Sequence, residues 1–218
     1  MKKIAIILSG CGNRDGSELQ ETLSLLLAID RNGMRYQCFA PHGSFNVVSY
    51  LDNDGETGEV RDIFAESARI ARGNILPLSD YRVEDFDALA FPGGMGTVRN
   101  LSTYAKESVN MSVLPEVERA ILDTHDAGKP ICAMCIAPML LAKVLGPLGV
   151  RLTLGYSCAA SKAAVQMGAV HESCVATGIC VDEKNKVVTT PAYMVATRIS
   201  QIFDGADAMV SKLIEWLS

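Results

Sequence analysis

Three short, nearly continuous apolar runs, each cut off by a tight turn, constrain this chain more than any other feature. Residues 3–9 (Lys-Ile-Ala-Ile-Ile-Leu-Ser) end in Gly10-Cys11-Gly12, residues 87–91 (Asp-Ala-Leu-Ala-Phe) end in Pro92-Gly93-Gly94, and residues 130–134 (Pro-Ile-Cys-Ala-Met) end in Cys135. Apolar runs of this length without polar alternation are strands buried on both faces of a sheet. Between them lie segments of helical period. Residues 17–31 repeat Leu19, Leu23, Leu26 and Leu27, with Ser17 as N-cap and Gly33 as stop. Residues 60–72 place Ile63, Phe64, Ala68 and Ala71 on one face, and Pro115 opens a helix that carries Val117, Ala120, Ile121 and Thr124 to Gly128. Further helices are predicted over 136–145, 159–168 and 193–217. A second strand is expected at 35–40, an irregular excursion at 43–58, and a hairpin from 175–181 and 186–190 around Asp182-Glu183-Lys184-Asn185. Strands alternating with helices, with no repeat and no linker, predict one α/β domain over residues 1–218 with a mostly parallel sheet covered on both faces. Ligands bind such sheets beyond the carboxyl ends of the strands. The turns at 10–16, 92–96 and 134–136 are therefore expected to converge on one crevice.

Composition narrows the class of function. The chain has 218 residues, 49% of them apolar and 21% charged, which excludes intrinsic disorder. No apolar run approaches the roughly 20 residues needed to span a bilayer. Met1-Lys2-Lys3 runs directly into Ile4–Leu8, too short a core for a secretory signal, so a cytoplasmic location is expected and no membrane partner. Twenty basic residues against 25 acidic ones, spread along the chain, give a net charge of −5 and no stripe for nucleic acid. Three scattered histidines do not suggest a His-rich metal site, and seven cysteines without regular spacing point to free thiols in a reducing compartment.

The residue with most chemical promise is Cys135. It follows an apolar strand and opens the helical run Ile136-Ala-Pro-Met-Leu-Leu-Ala, a strand-to-helix elbow that forces the side chain outward. The positive end of the helix dipole there favours thiolate over thiol. The plainer reading is a buried cysteine acting as a small hydrophobe. Cys132 completes a Cys-x-x-Cys with Cys135 but lies inside the strand, where core packing suits it better than dithiol or zinc chemistry. The loop Gly10–Gly16 imitates a dinucleotide fingerprint with its third glycine one residue late and no acid after the second strand, so no nucleotide cofactor is expected. That loop leads instead to Glu18 and Glu21. Two carboxylates in a first helical turn are most often solvated dipole partners. In a closed crevice one of them faces Cys135, and burial with like charge then raises its pKa until it can serve as a general acid and base. Gly94 and Ile136 can offer backbone N–H groups to an oxyanion. His171 precedes the C-terminal hairpin and is a candidate to reach the crevice, against a structural hydrogen-bonding role; His42 and His125 read as loop and surface residues.

Taken together, Leu8-Ser-Gly-Cys-Gly12, Asp15-Gly-Ser-Glu18, Glu66-Ser-Ala-Arg-Ile-Ala-Arg-Gly73, Phe91-Pro-Gly-Gly94, Asn100-Leu-Ser102, Gly128-Lys-Pro130, Cys135-Ile-Ala-Pro138 and Asn185-Lys-Val-Val-Thr-Thr-Pro-Ala-Tyr193 resemble the PfpI-like, class I glutamine amidotransferase-like superfamily, and within it the ElbB branch of enhancing-lycopene-biosynthesis or sigma cross-reacting proteins. The resemblance implies a flavodoxin-like three-layer sandwich with Cys135 as nucleophile at its elbow, a glutamate from the first helix (Glu21 by motif position, with Glu18 beside it), and Gly94 with Ile136 as oxyanion amides. It also implies a homodimer and a weak glyoxalase activity that needs no metal or other cofactor and takes a small 2-oxoaldehyde such as glyoxal or methylglyoxal. Ile136 stands where protease and amidotransferase relatives carry histidine, which argues against peptidase or glutaminase activity. No mitochondrial leader like that of eukaryotic relatives is expected for this chain. Segment 151–168 follows the pattern least and is expected to shape the crevice wall. An alternative of another class is a non-catalytic redox sensor or partner-binding protein with Cys135 as an oxidisable thiol.

Overall fold

Buried apolar runs must satisfy their backbone polar groups against one another, and that requirement draws them together as neighbouring strands. A computed structural model describes residues 1–51 and 55–218. Its strands are β1 (Lys3–Ile7), β2 (Arg35–Ala40), β3 (Ser44–Val48), β4 (Glu56–Asp62), β5 (Ile75–Pro77), β6 (Ala88–Phe91), β7 (Ile131–Met134), β8 (Arg151–Leu152), β9 (Val170–His171), β10 (Cys180–Asp182) and β11 (Val187–Thr190). Its α-helices are α1 (Leu19–Arg31), α2 (Ile63–Ile70), α3 (Gly96–Arg99), α4 (Tyr104–Glu107), α5 (Pro115–Asp126), α6 (Pro138–Leu145), α7 (Ala159–Gln166) and α8 (Ile199–Leu217).

The main sheet has the order β10-β11-β7-β6-β1-β2-β5. Its pairs are parallel except at the β10 edge, which runs antiparallel to β11. This is the α/β architecture that the alternating pattern predicts, in the flavodoxin-like form that the resemblance implies. Every residue of β6 and β7 is buried, as are Ile4, Ala5, Ile6 and Ile7 of β1, which explains why these runs carry no polar alternation. Toward the β2 edge the core is aromatic: Phe39 meets Tyr81 and Phe86 edge-on at 5.7 and 5.3 Å. The chain places β2 on one side of β1 and β6 on the other, so the order reverses there and a crevice opens beyond the carboxyl ends.

Several local expectations are corrected. Ser17 is not the cap of the first helix, because its hydroxyl turns inward to accept from the Ser9 N–H at 2.9 Å. Glu18 caps α1 instead, accepting from the Glu21 N–H at 2.6 Å. The excursion at 43–58 contains β3 and part of β4, an antiparallel pair; residues 52–54 of it lie outside the described residues. The helix expected at 60–72 is shorter, because the Asp62 carboxylate accepts from the Ala65 N–H at 2.7 Å and fixes its start. Ser67 takes the buried face in place of Ala68, since its hydroxyl accepts from the Gly10 N–H at 2.9 Å. The short edge strand β5 is absent from the sequence reading, three residues ending in proline being too brief to carry a pattern. Helix α6 begins at Pro138, so Cys135 and Ile136 form a turn before it. The strand read at 175–181 shrinks to β10 because Gly178 turns the chain, its N–H donating to the Val175 carbonyl at 3.0 Å. The last helix begins at Ile199, where the Gln201 side chain accepts from the Thr197 and Arg198 N–H groups at 3.0 and 3.1 Å.

Leu89 tests the packing. It lies in the middle of β6 and is fully buried. Leu89→Ala is expected to cost about 2–5 kcal/mol, read as a lower urea midpoint with an unchanged slope.

Candidate active site

Four neighbouring strands, β11, β7, β6 and β1, end at one crevice, and each delivers a different chemical part. After β7 the chain turns at Cys135, which adopts φ +59, a conformation costly for a residue with a Cβ. The Cys135 N–H donates to the Thr190 carbonyl at 3.0 Å, and the Ala137 N–H donates to the Met134 carbonyl at 2.9 Å. These bonds tie the elbow to β11 and close it. The thiol, with 8% of the residue exposed, looks into a cavity of about 570 Å³.

After β6, Gly93 and Gly94 bring bare backbone against the sulfur. A Cβ on Gly93 would stand 2.4 Å from the Cys135 Cβ and 2.4 Å from Glu21 Oε2. A Cβ on Gly94 would stand 2.3 Å from the Gly16 carbonyl oxygen, and Gly94 has φ +103. Only glycine fits either position. The N–H groups of Gly94 and Ile136 both act on the Cys135 sulfur in favour of its anion.

After β1, the loop through Gly16 delivers α1. The Glu18 N–H donates to the Gly93 carbonyl at 3.0 Å, which fixes the start of that helix against the β6 turn. One turn on, Glu21 is fully buried. The N–H of Gly93 donates to one of its carboxyl oxygens at 3.1 Å, and the N–H of Tyr193, beyond β11, donates to the other at 3.2 Å. The carboxyl and the Cys135 thiol both border Gly93 and line the same cavity. The structure thus turns Glu21, and not Glu18, toward the sulfur, while Glu18 caps the helix and lines the cavity beside it.

The electrostatics of this pair follow from burial. Desolvation, aided by the nearby Glu18 charge, lifts the Glu21 carboxyl to about 7 against the pull of the Cys135, Tyr193 and Gly93 hydrogen bonds. Desolvation also pushes the Cys135 thiol well above its ordinary range; the Glu21 charge and hydrogen bond add to this, and the Gly94 and Ile136 amides oppose it. The expectation that a helix dipole holds the sulfur as a free anion is corrected here. The helix begins only at Pro138, and burial outweighs two amides. The two groups resist ionising together, so near neutral pH the pair tolerates one negative charge and keeps at least one proton.

His171 does not line the cavity. It lies in β9, and burial, opposed by the Gly155 backbone, holds it below the usual imidazole range. Its Nε2 has no partner among the described residues. Cys132 is fully buried in β7 and pushed to about 12 by desolvation, which fits core packing rather than a dithiol. Asn13, Gln20, Met95, Tyr193 and Met194 complete the lining; none was singled out from the sequence as a site residue. The signal for Tyr193 and Met194 is the same as for the other turns: Thr190-Pro191 ends a buried strand next to β7. Among the described residues no group of three or more His, Cys, Asp or Glu side chains is placed to hold a metal ion, and no helix is long and apolar enough to cross a membrane.

The chain is similar to known proteins over nearly its whole length. It is 41% identical over 223 residues to the mitochondrial glutamine amidotransferase-like class 1 domain-containing protein 3 of Homo sapiens, covering 98% of this chain and 82% of that one. It is 35% identical over 230 residues to the mitochondrial ES1 protein of Danio rerio, covering 97% and 84%. Among solved structures, an isoprenoid biosynthesis protein with an amidotransferase-like domain from Ehrlichia chaffeensis superposes with a TM-score of 0.91 at 35% identity, covering 98% of this chain and 99% of that one. A ThiJ/PfpI domain protein from Brachyspira murdochii, at 14% identity and a TM-score of 0.61 over 99% and 98% of the two chains, shares the fold. No family model matches the sequence. The chain belongs to the class I glutamine amidotransferase-like family. The cytoplasmic location expected from the sequence is contradicted, since the curated relatives are named mitochondrial.

The raised Glu21 carboxyl makes stability depend on pH. Between its ordinary value of 4.5 and about 7 the native chain keeps a proton that the unfolded chain has lost, so this group's stabilisation is complete below 4.5 and disappears as pH rises through 7. The stability difference between wild type and Glu21→Gln is expected to fall across that window and to flatten above it, as measured by urea unfolding at a series of pH values.

Proposed function

We propose that the protein is an ElbB-type, cofactor-independent glyoxalase-like enzyme that converts glyoxal or methylglyoxal to the 2-hydroxy acid through a cysteine hemithioacetal. The observation that carries this reading is the buried Glu21 carboxyl beside the Cys135 thiol, both against Gly93 and in one cavity with Gly94 and Ile136. In its singly charged form the pair supplies both a nucleophile and a proton acceptor. The Cys135 proton passes to Glu21 as sulfur adds to the aldehyde carbon of glyoxal, forming the C–S bond and opening the carbonyl π bond. The new oxyanion lies within reach of the Gly94 and Ile136 N–H groups and takes the proton from Glu21, giving the hemithioacetal. Glu21, again ionised, removes the hydrogen on the carbon bearing sulfur; the resulting enediol is reprotonated on the neighbouring carbon, leaving a thioester of the hydroxy acid. Water hydrolyses it, releasing glycolate and restoring the thiol. Glyoxal and water together balance glycolic acid, so no external oxidant or reductant enters.

The motifs from Leu8 through Tyr193 support the ElbB-type assignment, and the isoprenoid-biosynthesis name of the similar Ehrlichia chaffeensis structure is in keeping with that branch. The same reading takes the chain as a homodimer, with the exposed α1 stripe of Leu19, Leu23 and Leu27 as the face a second copy covers. Light scattering is expected to give twice the chain mass of 23.4 kDa, and Leu23→Glu to return it to one chain mass.

Glyoxal loss and glycolate formation test the chemistry. Cys135→Ala is expected to abolish turnover, and Glu21→Gln to lower kcat by about 10²-fold or more, while both keep the wild-type circular dichroism. Rates equal to wild type in the Cys135 variant would remove the assignment.

A further inference from the structure

A second cavity, of about 300 Å³, lies between the β3–β4 hairpin and the α3–α4 segment, with Asp15, Asn46, Glu56, Arg99 and Lys106 among its lining. It shares the Gly10–Gly16 loop with the first cavity: Asn13 lines one and Asp15 the other. Several cations elsewhere on this surface are paired with carboxylates. Arg61 meets Glu59 and Glu66, Arg119 meets Asp123, and Lys212 meets Glu183 and Glu215. The side chains of Arg99 and Lys106, both exposed, make no ion pair or hydrogen bond among the described residues.

They are unmatched although two carboxylates line the same cavity. The Asp15 carboxylate is buried and already accepts from the Val48 N–H at 3.0 Å and the Tyr50 hydroxyl at 2.9 Å. The Glu56 carboxylate accepts from Asn46 Nδ2 at 2.6 Å. These hydrogen bonds from neutral donors hold the hairpin in place, and among the described residues neither acid forms an ion pair with Arg99 or Lys106. The wall that bears Arg99 is also fixed. Asn100 Nδ2 donates to the Ser9 and Asp15 carbonyls at 2.8 and 2.7 Å, and the Gly96 N–H donates to the Gly16 carbonyl at 2.9 Å. A guanidinium fork and an ammonium on one concave, polar wall complement a doubly charged tetrahedral oxyanion better than a single carboxylate. The volume exceeds what inorganic phosphate alone would fill and leaves room for a small organic body.

We propose that this cavity binds a small organic phosphate monoester, its phosphate held by Arg99 and Lys106. The site is separate from Cys135 and does not rest on the glyoxalase reading. Phosphorus NMR line widths of inorganic phosphate and of glycerol phosphate, titrated with the whole protein at constant chloride, test it. Wild type is expected to broaden both signals saturably with a Kd of ~1 mM or tighter for glycerol phosphate. Arg99→Gln and Lys106→Gln are each expected to weaken binding about tenfold, the double variant to abolish it, and Cys135→Ala to bind as wild type. Acetate at equal concentration should not displace the phosphate. An absence of saturable broadening with wild type overturns the proposal, and so does broadening that persists unchanged in the folded double variant.

Discussion

The site depends on bare backbone at Gly93 and Gly94. Three elements meet there that have no other reason to touch: the end of β6, the Cys135 elbow and the start of α1. A methyl group on either glycine would occupy space already held by Cys135, Glu21 or the Gly16 carbonyl. Because nothing intervenes, Gly93 can use both of its peptide groups. Its N–H reaches the Glu21 carboxyl and its carbonyl receives the Glu18 N–H. The turn thus fixes the register of α1 and the carboxyl that α1 carries. The strain at Cys135 is stored against this same contact, with the elbow held by hydrogen bonds to β11 and across its own turn.

Burial then decides the charge state. A carboxyl and a thiol deprived of water in contact with each other cannot both ionise, and the four amide donors of Gly93, Gly94, Ile136 and Tyr193 suffice for one charge. A lone cysteine at a helix N-terminus would be a permanently activated nucleophile, open to any electrophile. Here the sulfur gains its charge only as its proton moves to Glu21, so activation is coupled to the arrival of something to attack.

Much of this was legible in the sequence because it rests on backbone patterning. The runs ending at Gly10, Pro92 and Cys135 mark buried strands and their loaded ends whatever surrounds them, and three turns at parallel strand ends must face one crevice. What the sequence could not supply was orientation. Glu18 and Glu21 stand three residues apart in one helical turn, and only the Glu18 cap, itself set by the Gly93 contact, decides which faces the sulfur. Ser17 has the composition of a cap, yet its hydroxyl is claimed by Ser9 across the loop. The charge of Cys135 differs from the local expectation for a related reason: dipole and amide effects follow from local position, whereas desolvation depends on everything packed above it. Tyr193 escaped notice because its contribution is a main-chain N–H, which no side-chain motif advertises. His171 has a suggestive identity and a place on the β8–β9 ladder that leads elsewhere.

A chamber limited to one negative charge also sorts what passes through it. Uncharged carbonyl compounds enter without electrostatic penalty, whereas organic acids meet Glu18 in the lining and the charged pair beside it. On the proposed chemistry the substrate is neutral and the product is a carboxylate, so turnover converts a tolerated guest into an unwelcome one. The enclosure that makes Glu21 basic enough to act would then also hasten the departure of what it has made.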